Sequence, residues 1–144
     1  MKKITQLLLT CSLISATAVQ ASDDNCFENA QTQAQLNGCA VEALNKADGD
    51  LNTLYHRMQE RLKNDINTKA MMVEAQRKWL TFRDAECKFF SSRSAGGSMS
   101  TLQMDDCLTK LTRTRVMELQ NHLACGRGSS EQEALQCALP PVGR

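Results

Sequence analysis

From Thr32 to Leu123 apolar residues recur every three or four positions, with no sustained apolar–polar alternation. That spacing predicts helices and no sheet. The first long helix opens at Thr32, where Thr32-Gln33-Ala34-Gln35 has the form of a capping box. Its stripe is Leu36, Ala40, Ala43, Leu44, Ala47, Leu51, Leu54, Met58 and Leu62, with Tyr55 on the flank. Ala40, Ala43 and Ala47 are small enough to let a partner helix approach closely, and Gly49 weakens the pattern locally. Turn signals at Asn64–Thr68 precede a second helix from about Thr68 to Phe90, and SSRSAGGSMS, residues 91–100, reads as a loop. Ser100-Thr101-Leu102-Gln103 has capping-box form and opens a third helix to about Leu123. Gly126 and Gly128 then break the chain, and Ser130-Glu131-Gln132-Glu133 starts a short helix that stops before Pro140-Pro141. The expectation is an all-α bundle of three main helices plus a short C-terminal helix, in one domain.

Residues 1–21 have the form of an export signal. Lys2 and Lys3 give a positive start, an apolar run extends from Leu7 to Ile14, and Val19-Gln20-Ala21 is a small-residue cleavage pattern, with the cut expected after Ala21. The run is too short for the roughly 20 residues a membrane span needs. Cys11 reads as a passive leader residue and not a lipid site, because Thr10 replaces the small residue expected there. Of seven cysteines, Cys11 leaves with the leader and six remain: Cys26, Cys39, Cys87, Cys107, Cys125 and Cys137. An even set in a small exported domain reads as a disulfide framework. Zinc pairs sit closer together than any of these, so no metal is expected.

Helix geometry narrows the pairing. A continuous helix would hold Cys26 and Cys39 about 20 Å apart, but the break at Thr32 lets the N-terminal segment fold back. Cys87 ends the second helix and Cys107 starts the third, at one level of an antiparallel hairpin, while Cys125 and Cys137 flank the glycine turn. Local pairs 26–39, 87–107 and 125–137 follow, since bonded cysteines need Cα atoms within about 7 Å.

Charge excludes some partners. Loss of Lys2 and Lys3 takes the 17 basic residues to 15, against 16 acidic ones, a net charge near −1. No basic excess points to nucleic acid or to an anionic membrane. The sequence has no Gly-rich phosphate loop, Gly-x-Ser-x-Gly or Glu-x-x-His, so no cofactor is expected. One feature could be chemical. Arg83 and Glu86 fall on the apolar face of the second helix, and Arg115 and Glu118 on that of the third. A hairpin registered by Cys87 and Cys107 sets Trp79 opposite Arg115 and Gln76 opposite Glu118. This predicts a partly buried network of Arg83, Glu86, Arg115 and Glu118, with Trp79 stacked on a guanidinium. An acid/base pair is one reading. A structural clasp is preferred, because a neighbouring arginine lowers a carboxylate pKa and suits an ion pair.

Thr32-Gln33, Leu36-Asn37, Cys39-Ala40, Ala47-Asp48, Leu51-Asn52, Tyr55, Ala75-Gln76-Arg77, Trp79, Phe82-Arg83-Asp84, Glu86-Cys87, Gly96-Gly97-Ser98, Cys107-Leu108, Thr112 and Arg115 together resemble the LprI-like lysozyme inhibitor domain family. The resemblance covers roughly residues 26–120, leaving a C-terminal tail, 121–144, beyond it; Leu36 departs from an expected Met. It implies a helical, exported bacterial protein, periplasmic or secreted, that inhibits a lysozyme-type peptidoglycan hydrolase and is not itself an enzyme. Inhibitors of such clefts project a loop over the carboxylates. Residues 91–100 are the candidate, with Ser91, Arg93, Gly96, Gly97 and Ser98 as contacts and the acidic Asp105-Asp106 beside them. The alternatives are a binding or immunity module for another envelope partner, or an envelope hydrolase or metal-binding bundle using Glu86, Glu118 and His122.

Overall fold

A computed structural model describes residues 21–125, 127, 132 and 135–140. The leader, apart from Ala21, and the start of the short helix expected from Ser130, apart from Gln132, lie outside the described residues. Leu135–Leu139, expected to end that helix, run as turn and bend. The elements are α1 (Ala21–Asn29), α2 (Gln33–Arg61), α3 (Ile66–Phe90), a 3₁₀ turn (Ser92–Ser94) and α4 (Ser100–Ala124), with no strand among the described residues.

Local chemistry sets most of the boundaries. Thr32 is the N-cap of α2 and forms the full capping box with Gln35. Helix α3 begins at Ile66, slightly before the expected Thr68, because the Asp65 carboxylate accepts from the Thr68 amide at 3.0 Å. That bond holds the Asp65 carboxyl below its ordinary value. The capping box read at Ser100 does not form. Met99 is the N-cap of α4 without a side-chain bond, and the Ser100 amide is taken by the Gly97 carbonyl at 3.1 Å. The Gln103 amide, which the serine side chain was expected to receive, bonds the Met99 carbonyl at 3.0 Å. Helix α1 has no apolar stripe to betray it in sequence; it is tied back to α2 by Cys26–Cys39.

Helices α2 and α4 run parallel and pack directly on each other, and α3 returns antiparallel alongside them. Asn37, near the start of α2, donates to the Ser98 carbonyl before α4, while Arg61, at the end of α2, donates to the Leu123 carbonyl at 2.8 Å. The most extensive packing is α2 on α4, and α3 leans more lightly on α4. Two seams explain this. Toward the loop end, buried Cys39, Ala40, Ala43 and Ala47 of α2 meet a helix whose buried residues there are Thr109 and Thr112. Small side chains on both sides permit close axes. Toward the other end the core is larger: Leu51, Leu54, Met58, Leu62, Leu119 and Leu123, closed by Leu139, with Tyr55, Met72, Trp79 and Val116 packed against it. Arg61 also donates to the Pro140 carbonyl, which fixes the segment that carries Leu139.

Three disulfides staple the bundle: Cys26–Cys39, Cys87–Cys107 and Cys125–Cys137, with Cα separations of 5.7, 5.5 and 5.7 Å. Only Gln76 and Cys87 are buried on α3. This helix is therefore held by few contacts, and each one matters.

Candidate functional site

Two places hold the residues singled out from sequence: a brace between the helices, and the loop at one end. The brace centres on Trp79. The guanidinium carbons of Arg83 and Arg115 lie 5.4 and 5.8 Å from its ring centroid. Arg83, only 11 % exposed, donates from Nη1 to Asp48 Oδ1 at 2.9 Å and to Thr112 Oγ1 at 3.0 Å, and from Nε to Asp84 Oδ1 at 3.0 Å. One guanidinium thus joins α2, α3 and α4. Arg115, 16 % exposed, donates from Nε to Gln76 Oε1 at 3.2 Å and from Nη1 to Glu118 Oε2 at 2.7 Å.

The structure brings together Arg83, Arg115, Glu118 and Trp79 of the expected network, but not Glu86. Glu86 is exposed, and the carboxylate that meets Arg83 across the bundle is Asp48 of α2. The helical wheel placed Glu86 on the face of Arg83, but α3 packs too lightly for its neighbours to cover that flank. Asp84 is exposed, yet reaches back to Arg83. Asp48 was missed as a member; its signal was its place directly after Ala47 in the small-residue seam. Gln76, expected opposite Glu118, is buried and accepts from Arg115.

Chemically, the arrangement is a set of satisfied ion pairs. Beside it, between α2 and α3, is a cavity of about 230 Å³ edged by Asp48, Asn52, Tyr55, Arg77 and Arg83, below the usual small-molecule range of about 300–1,000 Å³. Among the described residues no three His, Cys, Asp or Glu side chains are grouped to hold a metal ion. His56 pairs with Gln59 at 3.2 Å.

The loop is more folded than its composition suggests. Ser91 is buried: its Oγ donates to the Cys87 carbonyl at 2.8 Å, finishing α3, so it forms the base of the loop and no outward contact. Ser94 Oγ donates to the Ser91 carbonyl, the Gly97 amide to the Ser94 carbonyl, and Asn37 to the Ser98 carbonyl. Gly96 has φ +78°, a left-handed turn that suits glycine. Arg93, Gly96, Gly97 and Ser98 face solvent, flanked by exposed Phe90 and Met99. Asp106 is paired with Lys110 at 2.7 Å, and Asp105 is half-buried, its carboxyl pushed above its ordinary value by burial. The expected acidic pair is thus largely spent within α4.

A lightly packed helix braced by paired ions, three staples and a hydrogen-bonded loop between two of the rods define a rigid, disulfide-bonded helical scaffold. The chain belongs to the lysozyme inhibitor LprI family, whose model matches residues 24–119. It is also similar to an uncharacterized protein of Rhizobium meliloti (strain 1021), 32% identical over 124 residues that cover 78% of this chain and 88% of that protein. No solved structure matches the chain. The disulfides and the family fit an extracytoplasmic protein. No helix among the described residues is long and apolar enough to cross a membrane.

Proposed function

We propose that this protein is exported, with residues 1–21 removed, to the periplasm or beyond, and there binds and inhibits a lysozyme-type peptidoglycan hydrolase. The observation that carries this reading is the match of the lysozyme inhibitor family over residues 24–119, which includes the whole brace and the whole loop. The contact surface in this reading is the loop end: Arg93, Gly96, Gly97 and Ser98, with Phe90 and Met99 on either side. The physical support is preorganisation. The loop is anchored at its base by Cys87–Cys107 and along its length by its own hydrogen bonds and by Asn37. Little conformational entropy is then lost when a partner cleft closes around it. The ions of the brace hold shape in this scheme and perform no reaction.

Turnover of purified lysozymes on cell-wall substrate, measured against the purified oxidised protein, tests the reading. Inhibition at micromolar concentrations or below is expected, with at least tenfold weakening in Arg93→Glu/Phe90→Ser. Absence of inhibition at micromolar excess across lysozyme types sinks the inhibitor reading. Full inhibition by the loop variant sinks only the assignment of the surface.

A further inference from the structure

Helix α3 has a second apolar face that its own chain leaves uncovered. Met71, Ala75, Lys78, Phe82, Ala85 and Phe89 follow a four-three-four-three-four spacing, the seam of a coiled coil. All six are exposed, Met71, Phe82 and Phe89 by 63 %, 55 % and 75 %. The stripe is about 27 Å long at about 1.5 Å per residue. Its axis is on the far side of α3 from buried Gln76 and Cys87, away from the loop, while Met71 and Ala75 at one end also edge a cavity of about 420 Å³ shared with Met58, Leu62 and Leu119. An exposed apolar seam of this length, interrupted only by Lys78, marks an interaction surface.

The stripe is complementary to itself. Turned about a two-fold axis between Lys78 and Phe82, it sets Met71 against the second copy's Phe89, a sulfur–aromatic contact, and Ala75 against the second copy's Ala85, small on small. Lys78 lies over the second copy's Phe82, its stem on the ring and its ammonium near the face. Along one flank the same rotation brings Glu74 beside the second copy's Lys88, twice. Both are exposed, and within one chain neither has an ion-pair partner among the described residues. A parallel arrangement would oppose Lys78 to its own copy and leave Glu74 and Lys88 unmatched. We infer that the protein forms an antiparallel, two-fold homodimer through this face of α3, leaving both loop ends free. One helix pair makes an interface at the small end of the specific range, so the dimer is reversible and concentration-dependent.

Sedimentation equilibrium of the oxidised protein over roughly 5–200 µM, spanning the micromolar affinities expected of a small interface, tests this. The average mass is expected to climb toward twice that of the monomer. Phe82→Glu and Phe89→Glu fall at exposed positions, so their circular dichroism is expected to match the parent's while association weakens at least tenfold. Glu74→Lys should weaken it several-fold, and Glu74→Lys/Lys88→Glu should restore it. A monomer at every concentration overturns the inference, as does a dimer indifferent to both phenylalanine variants or a double swap no better than its parent. A monomer whose hydrolase inhibition is lost in Phe82→Glu also overturns it, and gives the face to the hydrolase.

Discussion

Replacing Arg83 by Met keeps the apolar stem and removes the guanidinium that joins three helices. Three losses follow. Thr112 is fully buried, and its hydroxyl oxygen loses the donor at 3.0 Å; a stranded buried acceptor costs about 1–3 kcal/mol. The ion pairs to Asp48 and Asp84 involve carboxylates 40% and 62% exposed, so each contributes about 0–1 kcal/mol. The guanidinium over Trp79 adds about 0.5–1 kcal/mol. Arg83→Met is therefore expected to lower stability by about 2–4 kcal/mol. Asp48→Asn, whose site stays hydrated and still offers an oxygen, should cost below about 1 kcal/mol. Arg83→Met/Thr112→Val should cost less than the sum of its parts, because the stranded hydroxyl is gone. Equilibrium urea unfolding of the oxidised protein measures this. Trp79, the single tryptophan, reports on the brace itself, and circular dichroism reports on the helices. An Arg83→Met cost under about 1 kcal/mol, or an Asp48→Asn cost equal to it, would refute the assignment of the brace to a buried hydrogen bond, since that bond is the largest contribution in the sum.

Three further outcomes are expected. Cys87→Ala/Cys107→Ala opens a bridge spanning 20 residues and should cost about 3 kcal/mol, read as a fall in the thermal midpoint that reductant does not deepen by as much as it does in the parent. Thr32→Ala breaks an observed capping box and should cost about 1 kcal/mol, whereas Ser100→Ala should be near neutral because no side-chain cap forms there; urea midpoints of the two variants decide. Burial raises the Asp105 carboxyl, so its ionised form weakens the fold above the folded-state pKa and that penalty fades as pH falls through it. Asp105→Asn should accordingly stabilise at neutral pH and lose the advantage in acid. Asp65 has the opposite sign: its carboxyl is held below 3.8, and its support for α3 is present above that value and lost as pH falls through the depressed one. Unfolding midpoints from pH 7 to 2.5 check both.

What could be read from the chain alone is what local chemistry controls. The α2 boundary at Thr32 rests on a hydrogen bond between neighbours in sequence, and the helical spans on spacing. The three cysteine pairs followed from which helix ends could meet. The polar oddities on α3 and α4 were visible for the same reason, since periodicity tells which residues share a face. It does not tell how much of that face another helix covers. The tertiary structure alone decided that α2 and α4 run parallel with a seam of alanine and threonine, and that α3 is held at few points. It also decided that Arg83 finds Asp48 and leaves Glu86 in water. The loop shows the same division: serine and glycine announced a turn, but whether Ser91 points inward and Gly97 caps α4 depended on where Cys87, Asn37 and Met104 came to lie. Partners distant in sequence are chosen by the relative placement of whole helices, and that placement is a property of the packed chain.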